Sequence, residues 1–174
     1  MKEMPAALKS QFLVHATAVK LAGATRPFGG FTDGGVLLLG PSGSGKSDVA
    51  LRLISAGAEL ISDDQTLLFV EQGILFADAP ATIKDTMEIR GVGILRMKST
   101  GKTPIILAVQ LDENAGVARM PEPSVYGLPV GLKGAVSPPL LTFDPSEAST
   151  PAKIAAAAAA IVGERAVAGA LTPS

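Results

Sequence analysis

The stretch VLLLGPSGSGKS, residues 36–47, decides the fold of this chain. Its first four residues form a short, unbroken apolar run, which is typical of a strand buried on both faces of a sheet. Three glycines follow within six residues, and beyond Ser47 the apolar residues recur at helical spacing. Gly57 is well placed to end that helix. The stretch therefore predicts a strand, a glycine-rich loop and a helix in direct succession.

The loop GPSGSGKS matches the phosphate-binding pattern G-x-x-x-x-G-K-[ST], the P-loop. Its glycines let the backbone turn tightly, so that N–H groups of the loop and of the following helix point at phosphate oxygens. Lys46 supplies a positive charge for the β- and γ-phosphates, and the Ser47 hydroxyl can coordinate Mg²⁺. The predicted nucleotide-binding residues are Gly40, Pro41, Ser42, Gly43, Ser44, Gly45, Lys46 and Ser47. The sequence therefore predicts binding of nucleotide phosphates.

Composition narrows the class of protein. The chain has 174 residues, of which 47% are apolar, so we expect one domain over 1–174 with its core at about 11–168. A formal net charge of −1 gives no basic footprint for nucleic acid or an anionic membrane. The chain has no cysteine, which excludes disulfides, thiolate catalysis and cysteine-ligated zinc. No run approaches the roughly 18 apolar residues of a membrane span. We expect a cytoplasmic protein that binds neither nucleic acid nor membrane.

Other segments predict the remaining elements. Strands are expected at 11–21 with His15 inside, at 59–62, at 105–111, and as a hairpin of 66–70 with 74–77. A loop or hairpin connection is expected at 23–35, and loops with short strands at 114–145. Thr150 and Pro151 resemble a cap and first residue of an alanine-rich helix that runs to about Ala168. Together these elements predict an α/β fold, a P-loop domain with a mixed sheet.

Two strand ends offer an acidic group for phosphate chemistry. Asp63 and Asp64 follow a predicted strand, sixteen residues beyond Ser47 and across a helix, which returns them beside the P-loop. Asp112 and Glu113 follow another strand and resemble the acidic strand end of an ATPase, although an ordinary acidic turn has the same pattern. The spacing favours Asp63, and two adjacent carboxylates can divide the roles of base and charged group near a metal.

A third candidate lies in the segment DTMEIRGVGIL, residues 85–95. Glu88 and Arg90 are two residues apart, so in an extended segment they share one face. A glutamate near Mg²⁺ and an arginine near the phosphoryl group would suit phosphoryl transfer. A surface ion pair beside a glycine turn is the ordinary alternative.

These motifs in this order resemble the catalytic domain of bacterial HPr kinase/phosphorylase. The resemblance rests on the strand with His15, then GPSGSGKS, LISDD and MEIRGVGIL, and covers residues 11–111 with a weaker match through the C-terminal helix. It implies a P-loop kinase fold with a mixed sheet, akin to phosphoenolpyruvate carboxykinases. It also implies an ATP- and Mg²⁺-dependent kinase that phosphorylates a serine of HPr, a phosphotransferase-system carrier protein, and removes that phosphate by phosphorolysis. The family assembles as hexamers.

The resemblance also implies roles for individual residues. Asp63 corresponds to the acid–base residue and Asp64 to a supporting carboxylate. Ser47 and Glu88 correspond to the Mg²⁺ ligands. Lys46, Arg90 and His15, the chain's one histidine, correspond to groups that face the phosphates.

Some features depart from the longer members of the family. The chain resembles short, single-domain alphaproteobacterial members that correspond to the C-terminal catalytic domain alone. About ten additional residues, near 24–34, separate His15 from the P-loop. Arg119 and Lys133 are the only basic residues between Asp112 and Pro151, where longer members have a basic segment near the HPr site. Two other functions therefore stay open: a nucleotide- or phosphate-sensing module with little catalysis, and an unrelated NTPase that uses Asp112 and Glu113.

Overall fold

The computed structural model describes residues 10–21, 34–116, 118–163 and 169–171. The bounds of the elements in these segments are β1 Phe12–Val14, β2 Ala16–Leu21, β3 Gly34–Leu39, α1 Lys46–Ser55, β4 Glu59–Ser62, β5 Thr66–Glu71, β6 Ile74–Asp78, β7 Thr86–Ile89, β8 Gly93–Arg96, β9 Thr103–Leu111, β10 Leu140–Phe143 and α2 Thr150–Val162. In the described part of the chain, an eight-stranded sheet has the order β1-β5-β6-β9-β3-β2-β4, with β10 beside β9, and β7 and β8 form a separate hairpin.

The central strand β3 determines where the site lies. It pairs in parallel with β9 and antiparallel with β2, which in turn pairs antiparallel with β4. Val36 and Leu38 are fully buried on the face that carries the helices, whereas Leu37 is buried on the opposite face. Both faces of β3 are therefore covered, as the apolar run predicts. The strands β3, β4 and β9 point the same way, so their carboxyl ends meet at one edge of the sheet.

The two helices of the described segments pack on one face of this sheet. Val49, Ala50 and Leu53 of α1 join a buried cluster with Ile154 and Ala158 of α2. The alanine side chains let α2 lie close to its neighbours, and the predicted alanine-rich helix is confirmed. It begins one residue earlier than expected, because its N-cap is Ser149 and Thr150 is already helical. The described helix ends at Val162, and residues 164–168 of the predicted helix lie outside the described segments.

The predicted hairpin is also confirmed. Strands β5 and β6 pair antiparallel, with Glu71 opposite Ile74. The two residues between them, Gln72 and Gly73, have φ angles of 49° and 79°. Positive φ at both central positions is typical of the two-residue turns that suit the twist of a hairpin.

The prediction of one strand over residues 11–21 is wrong. The chain forms β1, bends at His15 and continues as β2. The reason is that β1 pairs with β5, whereas β2 inserts between β3 and β4, so the chain changes partners at the bend. This places the histidine between two strands rather than in the middle of one.

The last two residues of the loop predicted at 23–35 are not loop. Gly34 and Gly35 belong to β3, where Ile106 and Ile105 lie so close that a Cβ atom on either glycine would contact their side chains. Residues 23–33 of the predicted loop lie outside the described segments. Most of 114–145 is irregular as expected, with β10 as its strand. No helix in the described segments is long and apolar enough to cross a membrane.

Candidate active site

The glycine-rich loop joins β3 to α1, so the predicted succession of strand, loop and helix is confirmed. Gly40, Gly43 and Gly45 have φ angles of 149°, 80° and 85°, which side chains disfavour. The Ser44 N–H donates to the Pro41 carbonyl over 3.1 Å, closing a tight turn. Other N–H groups of the loop and of the first turn of α1 are left to bind an anion.

A cavity of about 630 Å³ opens beside this loop. It is lined by residues of the loop, of α1, of the end of β4 and of the β7–β8 hairpin: Ser42, Gly43, Gly45, Lys46, Ser47, Asp48, Leu51, Asp63, Asp64, Glu88, Ile89 and Arg90. The fold thus brings together most of the site residues predicted from the sequence. Gly40 and Pro41 contact Lys46 through their carbonyl oxygens, and His15 contacts Lys46 and Asp64.

Lys46 is buried, with 5% of its surface exposed. Its Nζ donates hydrogen bonds of 2.9 Å to the carbonyl oxygens of Gly40 and of Pro41 and lies 3.1 Å from His15 Nε2. Burial lowers the pKa of Lys46, and the negative charges of Asp64 and Asp63 oppose that shift. The ammonium group is therefore held by carbonyl oxygens of the P-loop. When a nucleotide binds, it would donate hydrogen bonds to phosphate oxygens in their place.

His15 connects the P-loop lysine to the second aspartate. Its Nδ1 lies 3.3 Å from Asp64 Oδ1, on the side of the ring opposite to Lys46. An ammonium group only donates, so Nε2 accepts and the remaining ring proton belongs on Nδ1, facing the carboxylate. A neutral imidazole with this tautomer satisfies both neighbours and orients the Asp64 carboxylate.

Asp63 and Asp64 differ sharply in environment. Asp63 is 7% exposed, and its Oδ1 accepts hydrogen bonds from Ser47 Oγ at 2.7 Å and from Thr17 Oγ1 at 3.0 Å. Its Oδ2 accepts from the Glu88 N–H at 3.1 Å. The Asp64 side chain is 62% exposed and has a φ angle of 62° at its backbone. Asp63 is therefore fixed at the base of the cavity, whereas Asp64 projects where a substrate can reach it.

Glu88 and Arg90 lie at the mouth of the cavity on the β7–β8 hairpin. Glu88 is in β7, and Arg90 follows the last residue of that strand. Both side chains are exposed and line the cavity, which agrees with the predicted common face. The buried Met87 anchors the hairpin in the core beside α1.

The alternative acids lie elsewhere. Asp112 follows β9 near the P-loop, but its Oδ1 accepts the N–H of Asn114 at 2.9 Å and closes a local turn. Neither Asp112 nor Glu113 lines the cavity. Of the two acidic strand ends, the one at Asp63 contacts the P-loop serine, which supports the preference drawn from spacing.

Two polar residues at the site were missed by sequence reasoning. Thr17, in β2, contacts both aspartates; its only signal was a threonine within a mostly apolar strand. Arg52, in α1, donates to the carbonyl oxygens of Pro145 and Glu147, and Pro145 packs against Gly45. The only signal for Arg52 in the sequence is that it follows Asp48 by four residues in the helix, a spacing that indicates a local ion pair and nothing further. Arg52 therefore holds residues 145–147, which are distant in sequence, beside the P-loop at Gly45.

Comparison with known proteins identifies the family of the segment that contains this site. The model of the HPr serine kinase C-terminal domain matches residues 20–112, which is more than half of the chain and includes the P-loop, both aspartates and the β7–β8 hairpin. The HPr kinase/phosphorylase of Caldanaerobacter subterraneus subsp. tengcongensis is 35% identical over 114 residues, 61% of this chain and 34% of the relative. That of Peptoclostridium acidaminophilum is 48% identical over 66 residues, 37% of this chain and 21% of the relative. The chain thus spans between about a fifth and a third of these curated relatives.

A solved structure shares the fold. The Hpr(Ser) kinase/phosphatase from Coxiella burnetii superposes with a TM-score of 0.63 at 22% sequence identity, covering 83% of this chain and 91% of that one. This likeness confirms the predicted α/β class, a P-loop kinase domain with a mixed sheet. The family match covers the same residues that build the cavity. The chain belongs to the family of the HPr serine kinase C-terminal domain.

Proposed function

We propose that the chain is an ATP-dependent kinase that phosphorylates a serine of HPr in the cytoplasm. The contact that carries this proposal joins Ser47 Oγ to Asp63 Oδ1 over 2.7 Å, at the base of a cavity that also exposes Asp64. A P-loop, a fixed carboxylate and a reachable carboxylate around one cavity support phosphoryl transfer, which needs a phosphate cradle and acidic groups close together. Membership of the family supports HPr as the acceptor.

The donors around the cavity suit Mg²⁺ and ATP. Mg²⁺ prefers oxygen ligands and is commonly held by one or two protein groups together with nucleotide phosphates. Ser47, in α1, and Glu88, in β7, would hold it beside the buried Asp63. In the described segments no three His, Cys, Asp or Glu side chains form a metal-holding group by themselves, so the phosphates would complete the ligand set. The bound ion would neutralise charge on the phosphates.

The geometry favours a particular division between the two aspartates. Sequence resemblance gave Asp63 the acid–base role, but three donors already occupy its carboxylate. Asp64 is exposed to the cavity and is oriented by His15, so we assign the proton transfer to Asp64 and the support of the metal site to Asp63. The Asp64 carboxylate would take the serine proton as the serine oxygen bonds to the γ-phosphorus and the bond to the ADP oxygen breaks.

Cationic groups would stabilise the charge that develops on the transferred phosphoryl group. Lys46 stands at the loop and Arg90 at the mouth of the cavity, on different walls. Charge-assisted hydrogen bonds from both would hold the phosphoryl oxygens during transfer. The same arrangement would serve the reverse reaction, in which inorganic phosphate attacks phosphoserine, pyrophosphate leaves and Asp64 returns the proton to serine.

The test is incubation of the purified chain with labelled ATP, Mg²⁺ and HPr, with Asp64→Asn and Asp112→Asn alongside. Serine phosphate should form on HPr with the wild type and with Asp112→Asn, and should be lost with Asp64→Asn. Addition of inorganic phosphate should then release pyrophosphate if phosphorolysis is retained. ATP binding without transfer would overturn the kinase proposal in favour of a sensing module. Loss of ATP turnover in Asp112→Asn alone would favour the unrelated NTPase.

The oligomeric state is also a proposal. The resemblance implies a hexamer, and sedimentation of the purified chain would test it. A monomer that phosphorylates HPr would remove the hexamer from the proposal and leave the kinase in place.

A further inference from the structure

We propose that Thr17 is a positioning residue that sets the geometry of the Asp63–Asp64 pair. This inference rests on the proposed function, because it concerns how the two acids of that site are held. The Thr17 hydroxyl donates to Asp63 Oδ1 over 3.0 Å and accepts the backbone N–H of Asp64 over 3.1 Å. One hydroxyl group therefore contacts the side chain of the first acid and the backbone of the second.

The strand pairing brings Thr17 to this position. It lies in β2 next to Ala18, which pairs with Ser62 at the end of β4. The register between β2 and β4 shifts between Ala18 and Val19, and such irregularities re-aim side chains at the ends of paired strands. Thr17 is consequently directed at the two residues that follow β4. It is fully buried, so water cannot replace its hydroxyl.

Both hydrogen bonds bear on the proposed chemistry. Asp64 has a φ angle of 62°, a conformation that is uncommon in non-glycine residues and that neighbouring groups help to hold. The bond to its N–H is one such restraint, and it directs the exposed carboxylate toward His15. The bond to Asp63 Oδ1 shares that oxygen with Ser47 and keeps it at the P-loop.

Buried threonines in strands commonly satisfy only backbone groups, and this sheet provides a direct comparison. Thr66, in β5, is also fully buried, and its hydroxyl donates to the Ala16 carbonyl over 2.8 Å. That hydroxyl donates to a backbone carbonyl and not to either aspartate. Thr66→Val therefore removes a buried hydroxyl of the same kind without removing a hydrogen bond to the acid pair, which makes it a matched control for Thr17→Val.

The experiment measures kcat and the KM for ATP in phosphorylation of HPr, together with Tm, for the wild type and for Thr17→Val, Thr17→Ser and Thr66→Val. Thr17→Val should lower kcat by about 10- to 100-fold, because loss of a group that orients a reactive residue has effects of this size. The KM for ATP should stay within about threefold of the wild-type value. Thr17→Ser keeps the hydroxyl and should retain most of kcat. Thr66→Val should lower Tm to a similar extent and keep kcat.

Equal losses of kcat in Thr17→Val and Thr66→Val would overturn the inference, because they would mark a purely structural role. So would full activity in Thr17→Val. If the wild type transfers no phosphate to HPr, the proposed function fails, but Thr17 can still be tested by ATP binding with Mg²⁺ and with EDTA. Thr17→Val should then reduce the increase in ATP affinity that Mg²⁺ provides, whereas Thr66→Val should not. An unchanged increase in Thr17→Val overturns the inference.

Discussion

The hydroxyl of Ser47 donates a hydrogen bond to Asp63, and the two oxygens lie 2.7 Å apart. This contact joins the first turn of α1 to the end of β4 across sixteen positions of sequence. Asp64, one residue further on, points into the open cavity instead. Adjacent carboxylates thus have different neighbours, and substitutions at the two positions should have different effects.

The first prediction separates the two aspartates. Asp64→Asn should lower phosphoryl transfer by at least about 100-fold, the range for loss of a general base, with ATP affinity nearly unchanged. Asp63→Asn should weaken Mg²⁺-dependent ATP binding by about 10-fold or more, since it removes the charge beside Ser47. Calorimetric titration with and without Mg²⁺ measures binding, and labelled ATP measures transfer. The opposite pattern, with transfer lost only in Asp63→Asn at full affinity, would return the acid–base role to Asp63.

The second prediction concerns the buried lysine. Lys46→Met should lower phosphoryl transfer by about 100- to 1,000-fold, because the variant loses a preorganised cation at the phosphates. The free energy of unfolding should change by less than about 1 kcal/mol, because burying an ammonium group opposes much of what its hydrogen bonds contribute. Denaturant unfolding and transfer assays on the same preparations test both parts. A large loss of stability would show that Lys46 is chiefly structural.

Sequence reasoning located the proposed nucleotide site because its signals are local. The pattern at 40–47 needs only a strand before it and a helix after it, and both are present. The strands at Glu59–Ser62 and Thr103–Leu111 were found because apolar runs identify strands that are covered on both faces. Their parallel alignment with β3 then places Asp63 at the phosphate edge of the sheet.

The remaining features depend on contacts between distant segments. The break at His15 arises because β1 and β2 have different partners, and no local signal encodes a change of partner. Thr17 gains its role only because β2 lies beside β4, and Arg52 because residues 145–147 return to α1. Likewise, the spacing of Asp63 and Asp64 from the P-loop does not distinguish the two acids, whereas their burial and hydrogen-bond partners do.

The third prediction tests the tightest turn of the P-loop. Gly40 has a φ angle of 149°, and a Cβ atom there would lie 2.9 Å from Ser44 Cβ and 3.2 Å from the Leu111 carbonyl oxygen. Gly40→Ala should therefore destabilise the chain by roughly 1–3 kcal/mol and lower its ATP affinity. Gly116→Ala is the control, because a Cβ at Gly116 has no neighbour within 4 Å. Equal stability of the two variants in urea would contradict the strain at Gly40.

The last prediction concerns the base of the β7–β8 hairpin and its dependence on pH. Asp85 Oδ1 accepts hydrogen bonds from Ser99 Oγ at 2.6 Å and from the Ser99 N–H at 2.7 Å, and these bonds lower the pKa of Asp85 below its ordinary 3.8. A carboxyl group whose pKa is lower in the folded chain than in the unfolded chain stabilises the fold at pH values above its pKa in the unfolded chain. That stability is lost as the pH falls through its pKa in the folded chain.

Asp85→Asn should therefore lower Tm at neutral pH, and the gap to the wild type should close as the solution is acidified below pH 3.8. Asparagine tolerates the φ angle of 60° at this position, so the substitution tests the charge rather than the backbone. Ser99→Ala removes one of the two donors and should show a smaller gap that closes over the same range. Thermal unfolding of all three proteins between pH 2.5 and 7 measures the difference in Tm. This range extends about one pH unit or more on either side of 3.8. A gap that widens on acidification would contradict the stabilising role of the Asp85 carboxylate.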